Sequence, residues 1–170
     1  GHIELSAAVD RALAVLDLVS WVVSAGAGVQ AHTLNLWESI RERELPVLVF
    51  VNKIDRAGAD LEQVFKDFEK DLGTQLFALN YGDNSQPEAP KVMDFNKLQP
   101  YLDTPILEKS FENLADLDEA FLEDFLEGNT GDLASIFEKA KRQIEAQKLV
   151  GVLFGSAKLE LGIEALLNTI

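Results

Sequence analysis

The sequence predicts an α/β fold, a mostly parallel sheet with helices on both faces, interrupted by an inserted α-rich subdomain. Three observations carry that prediction. Apolar runs of strand length alternate with stretches whose apolar residues recur at helical spacing, and short loops join them, as in right-handed crossovers between parallel strands. Two polar segments, NKID at residues 52–55 and GSAK at 155–158, each follow directly on an apolar run. The alternation breaks after residue 81, in GDNSQPEAP, and returns at VGVLFGSA.

Residues 3–16 open the chain as an amphipathic helix, with Leu5, Val9, Ala12, Leu13 and Leu16 at helical spacing and Glu4, Asp10 and Arg11 on other faces. A continuous apolar strand over 18–23 contains Trp21 and Val22 and is stopped by the small residues Ser24 to Gly28. The next helix is expected over 31–44, with Leu34, Trp37, Ile40 and Arg41 spaced for one face. Pro46 closes it, because the residue before a proline is pushed out of the helical region. Residues 47–51 form a second buried strand. Leu61, Val64, Phe65, Phe68 and Leu72 then mark a helix that starts at Asp60 and stops at Gly73.

TQLFALN, residues 74–80, is the third strand. The insertion is expected to be irregular where Pro87, Pro90, Pro100 and Pro105 fall, then helical through LADLDEAFLEDFLEG and GDLASIFEKAKRQIEAQK. VGVLFGSA supplies the last strand and GIEALLNTI the closing helix. The expected division is residues 1–80 and 149–170 for the main domain and 81–148 for the inserted subdomain.

With 170 residues, 47% of them hydrophobic, the chain can bury one sizeable core. Fifteen basic residues against 29 acidic ones give a net charge of −14, which repels phosphate backbones and argues against direct DNA binding. The absence of cysteine excludes disulfide and thiolate chemistry, and two histidines thirty residues apart leave no zinc site, so no metal ligands are expected. The apolar run over 12–29 approaches membrane-spanning length but carries Asp17 and ends in glycines, so no membrane partner is expected. The opening residues lack the basic region of a signal peptide, and the expected localisation is cytoplasmic.

NKID carries the chemistry of a guanine reader. Guanine presents two donors, N1 and N2, that adenine lacks as a pair, and a carboxylate accepts both, which makes Asp55 the reader. Lys53 would lay its stem along the ring, and Asn52 would tie the loop to neighbouring backbone. The tetrapeptide alone fits equally well a turn that caps the following helix. FGSAK, about one hundred residues later and again at the end of an apolar strand, tips the balance because it is similar to the second base loop of G proteins, in which a small Ser-Ala pair, here Ser156 and Ala157 with Lys158 beside them, lets a backbone N–H approach the guanine O6.

GHIELSAAVDRALAVLD, VVSAGAGVQAHT and PVLVFVNKIDRAGAD together resemble, in register, the G domain of translational GTPases, close to elongation factor G and the tetracycline-resistance ribosomal protection proteins. The resemblance covers essentially all 170 residues, most closely 1–72 and 149–170 and loosely 75–110. It implies a partial P-loop NTPase-type G domain, a GTP/GDP ligand, a ribosome partner through the parent protein and GTPase activity in that parent. Gly1 corresponds to the glycine of D-T-P-G-H, whose N–H contacts the γ-phosphate, and His2 to the histidine that orients the attacking water. The helix over 3–16 would be the switch helix.

No glycine in the chain is followed by lysine, so the phosphate loop G-x-x-x-x-G-K-[ST] is missing. The family places it upstream of Gly1, and with it the hydroxyl that holds Mg2+. The isolated chain is therefore expected to be inactive, with Mg2+ bound only in the intact parent. In the family's sheet the phosphate-loop strand lies beside residues 18–23. Without it an apolar edge carrying Trp21 and Val23 is exposed, and the isolated chain is expected to self-associate.

Two alternatives stand beside this reading. GAGVQA at 26–31 matches G-x-G-x-x-A with Asp55 as a ribose reader, which would make the chain an NAD-type oxidoreductase fragment. Leu18, Trp21 and His32 depart from the family pattern, which allows a G-like module that binds without hydrolysing. Asp103-Thr104-Pro105 resembles the D-T-P before the missing switch glycine, but Ile106 follows it.

Overall fold

A computed structural model of the chain describes residues 12–29, 31–128 and 131–170. Among these, four strands form one parallel sheet: β1 (Val19–Ser24), β2 (Val47–Asn52), β3 (Gln75–Ala78) and β6 (Leu149–Phe154), in the order β1-β2-β6-β3. Val47 to Val51 are all buried along β2, as is every residue of β6. Successive strand residues point to opposite faces, so burial of consecutive residues means that both faces are covered. β1 is an edge strand among the described ones, and its Val22 is 57% exposed.

Helix α1 (Ala31–Arg41) returns the chain from β1 to β2. It ends three residues before the expected Glu44, because Glu44 takes a left-handed φ of 53° ahead of Pro46. Trp37 holds α1 against the neighbouring helix: its indole N–H donates to Leu72 O at 2.9 Å, and its ring stacks on Trp21 of β1 at 6.4 Å. That neighbour is α2 (Leu61–Leu72), bounded as the sequence indicates. The Asp60 carboxylate caps it by accepting the Gln63 N–H at 2.9 Å, and Gly73 stops it at φ 59°. Residues 3–11 of the helix expected over 3–16 lie outside the described residues; the rest corrects its end, since only Ala12 and Leu13 are helical before a turn, and Leu13 is buried while Leu16 is 42% exposed.

Two expectations for the segment after β3 need correction. Residues that looked irregular form an antiparallel hairpin, β4 (Asn80–Asp83) with β5 (Lys91–Asp94), and GDNSQPEAP supplies its turn. Pro105, expected in irregular chain, instead starts helix α3 (Pro105–Ala115). A proline fits the first helical position, where its missing N–H would be unpaired anyway. Ile106, Leu107, Phe111 and Leu114 give α3 a fully buried face.

Helix α4 (Glu119–Leu126) is capped by Asp118, which accepts the Phe121 N–H at 2.9 Å, and α5 (Leu133–Glu145) leads into β6. The short α6 (Ile163–Thr169) ends the chain. Phe77 of β3 lies 5.8 Å from the Phe95 ring and 6.1 Å from that of Phe111, so the segment between β3 and β6 shares one hydrophobic cluster with the sheet. No helix among the described residues is long and apolar enough to cross a membrane.

Candidate functional site

β2 and β6 are adjacent and parallel, so their carboxyl ends place NKID and GSAK side by side. Ligands of open parallel sheets bind outside those ends. Backbone bonds carry the pairing past the last strand residues: Gly155 N donates to Val51 O at 3.0 Å, and Ile54 N to Gly155 O at 3.2 Å. Ile54 is completely buried and anchors the loop from beneath.

Asn52 is the joint between the loops. Its Oδ1 accepts the Lys53 N–H at 2.8 Å and the Ala157 N–H at 2.9 Å. Its main-chain oxygen accepts the Ala25 N–H at 2.8 Å, tying in the turn after β1. The next residue, Lys53, has φ 67°, a left-handed conformation uncommon for a residue with a Cβ and found disproportionately at functional sites. It leaves the Lys53 side chain exposed.

Asp55 stands beside Ser156. The Ser156 hydroxyl holds the Asp55 carboxyl below its ordinary value against the opposing effect of burial, and the loop backbone and the charges of Lys158 and Arg56 act in the same direction as the hydroxyl. Asp55 is therefore a carboxylate, an acceptor only. Its Oδ1 is shielded from solvent and has no protein hydrogen-bond partner, an unsatisfied buried acceptor where the two loops meet. Ser156 is itself buried and fixed: its N–H donates to Leu161 O at 3.1 Å, the Leu161 N–H returns to Ser156 O at 3.0 Å, and its Oγ accepts the Leu159 N–H at 3.4 Å.

The structure thus brings Asn52, Lys53, Asp55, Ser156, Ala157 and Lys158 to one place, while Gly1 and His2 lie outside the described residues. One detail differs from the simplest picture of base reading. The Ala157 N–H, a candidate donor to a guanine O6, is engaged by Asn52 Oδ1, so a ligand oxygen would have to share or displace that bond. Gly155 is a site residue that the motif contained but its chemistry did not flag: a Cβ there would run into the Leu161 carbonyl and the Phe50 ring. A 610 Å³ cleft nearby is lined by Gly58 to Glu62 and Tyr81 to Ser85 and does not reach Asp55. Its carboxylates, Asp60, Glu62 and Asp83, would repel phosphates.

The family described as the elongation factor Tu GTP binding domain matches residues 1–170. The tetracycline resistance protein TetP of Clostridium perfringens is 34% identical over 175 residues, covering 100% of this chain and 25% of its own length. Elongation factor G of Mycoplasma genitalium is 27% identical over 191 residues, covering 100% of this chain and 28% of itself. A crystal structure of a Thermus thermophilus protein superposes with a TM-score of 0.72 at 21% identity, over 94% of this chain and 27% of that one. The chain spans about a quarter of the length of these relatives.

Proposed function

The chain belongs to the elongation factor Tu GTP-binding domain family, and from that premise we propose that it is the guanine-reading part of a GTPase that acts on the ribosome. The observation that carries the assignment is the joint between the two loops: β2 and β6 end side by side, and Asn52 Oδ1 accepts the Ala157 N–H at 2.9 Å, which brings NKID and GSAK together. In this reading Asp55 accepts the N1 and N2 donors of guanine, Lys53 covers the ring, and the 155–158 loop meets O6. Relatives named as elongation factor G and tetracycline resistance proteins support the ribosome as partner and the cytoplasm as setting.

Residues 81–148 are an insertion between the two base-reading loops, with 1–80 and 149–170 forming the core. The 170 residues contain no phosphate-loop lysine motif, so binding of the phosphates and of Mg2+ is assigned to the parent protein. There Gly1 would contact the γ-phosphate, and His2 would orient the water. The dinucleotide alternative has lost its support: the family spans the whole chain, and Asp55 lies three residues beyond the end of β2, against Ser156.

Titration tests the assignment. Guanine has about eleven heavy atoms, and at roughly −0.3 kcal/mol each they supply about −3 kcal/mol, which is millimolar or weaker. The isolated chain should therefore show no tight binding of GTP, GDP or NADH and no hydrolysis, while the intact parent should bind GTP over ATP and hydrolyse it. Equal ATP and GTP binding by the parent would refute base reading. Binding without turnover would favour the non-hydrolysing module, and micromolar magnesium-dependent GTP binding by the isolated chain would show that the phosphate site lies within it.

A further inference from the structure

β6 delivers the base loop, and a side chain holds its last residue in place. β3 runs beside β6 only as far as Ala78, opposite Val152, after which Leu79 N donates to Val152 O at 2.8 Å. One residue on, the Asn80 amide takes over the ladder. Its Nδ2 donates to Phe154 O at 2.9 Å, and its Oδ1 accepts the Phe154 N–H at 2.7 Å. These are the two bonds a neighbouring strand would make. Asn80 is completely buried, so both bonds are shielded from water, and its Nδ2 and Oδ1 are both matched.

Phe154 turns its N–H and C=O to Asn80, while the next residue, Gly155, turns its own to Val51 and Ile54 of the opposite neighbour. Two residues on, the Ala157 N–H donates to Asn52 Oδ1 at 2.9 Å, so the strand end fixed at Phe154 leads directly into the joint with the NKID loop. Gly82 closes the approach from the hairpin: a Cβ there would lie 2.8 Å from Phe154 Cβ, so β4 sits directly on the strand end. We propose that Asn80 is a positioning residue for guanine reading, setting the height of the 155–158 loop against Asp55 by clamping both backbone groups of Phe154. The proposal rests on the base-site assignment above. It also makes the β4–β5 hairpin and the base loop share one anchor, because Asn80 begins β4.

The test compares GDP and IDP affinity in the intact parent, unmutated and with Asn80→Asp or Asn80→Leu. IDP lacks the 2-amino group that Asp55 would accept, so the GDP/IDP affinity ratio reports how well Asp55 is held. Asn80→Asp keeps an acceptor for the Phe154 N–H but sets an oxygen against Phe154 O, and Asn80→Leu removes both bonds. The ratio should fall roughly tenfold in a folded variant, the scale of one or two net hydrogen bonds. An unchanged ratio in a folded variant overturns the proposal. Failure of both variants to fold also overturns it, by assigning Asn80 to the core alone. An unmutated parent that binds GDP no better than IDP or ADP would sink the base-site assignment itself, and the proposal with it.

Discussion

Replacing Gly155 with alanine adds one methyl group where β6 becomes the base loop. That carbon would meet the Leu161 carbonyl oxygen and lie 2.5 Å from Cζ and 2.8 Å from Cε2 of Phe50. Neither neighbour yields easily. Leu161 is bonded to Ser156 through both backbone groups, and Phe50 is buried within β2. Overpacking of this kind costs about 1–3 kcal/mol, and more when backbone must move. With the cost at the upper end of that range, because the Leu161 backbone must move, loss of unfolded-state freedom returns about 0.4–1 kcal/mol and leaves a net destabilisation of roughly 2–2.6 kcal/mol. Gly151→Ala is the control inside the same strand. Its added carbon would lie 2.6 Å from Leu48 Cδ2, 2.8 Å from Leu79 Cδ1 and 3.0 Å from Ile144 Cδ1, all tips of flexible side chains. That substitution should cost about 1 kcal/mol. Gly26→Ala, with nothing within 4 Å, should stay within about 0.5 kcal/mol of the unmutated chain. Urea denaturation followed by Trp21 and Trp37 fluorescence measures all three, and Gly155→Ala should lower the midpoint by about 1–2 M. A Gly155→Ala chain as stable as the Gly151→Ala chain would refute the packing described for the loop.

Three further outcomes are expected. Asp55→Asn in the intact parent should weaken GDP by at least about a hundredfold, because the base donors lose an acceptor; XDP, whose O2 replaces the amino group, should bind better than before, and unchanged GDP affinity would count against Asp55 as reader. Burial pushes the Asp118 carboxyl up, but the Phe121 N–H and the Lys139 ammonium, 3.1 Å away, outweigh it and hold the carboxyl below its ordinary value. A depressed folded pKa adds stability above the unfolded value near 4 and loses it as pH falls through the folded value. The stability gap between the unmutated chain and Asp118→Asn should therefore be full above about pH 4 and close below it; a gap that persists in acid would contradict the charge pairing. Finally, β1 leaves one side of its backbone unpaired among the described strands. Light scattering of the isolated chain should show concentration-dependent association that Val22→Lys suppresses, and a monodisperse unmutated monomer would argue that this edge is already covered.

The central sheet was legible because β1, β2 and β6 are continuous apolar runs stopped by turn residues, and α2 because Asp60 and Gly73 mark its ends. The hairpin was not, since NYGD and KVMD carry too little apolar alternation to stand out and gain their meaning only by pairing with each other. α3 was hidden by reading Pro105 as a breaker when it is a helix starter. In the site, the two motifs together with their resemblance to G domains singled out Asn52, Lys53, Asp55, Ser156, Ala157 and Lys158. What they could not show is geometry across long separations: that Asn52 takes the Ala157 N–H, or that Asn80, which reads as an ordinary strand-end residue, grips Phe154.

The bond from Ala157 to Asn52 joins residues 105 positions apart in the chain. During synthesis at roughly 5–20 residues per second, about 5–20 s pass between the emergence of the two. Throughout that interval β2 has left the exit tunnel with its β6 flank bare, five consecutive apolar residues beside an unfilled ladder. The nascent domain must complete everything from α2 to α5 before that flank is filled. A polypeptide stalled just short of β6 would thus present a sticky strand to chaperones, and the base pocket would assemble among the last parts of the domain.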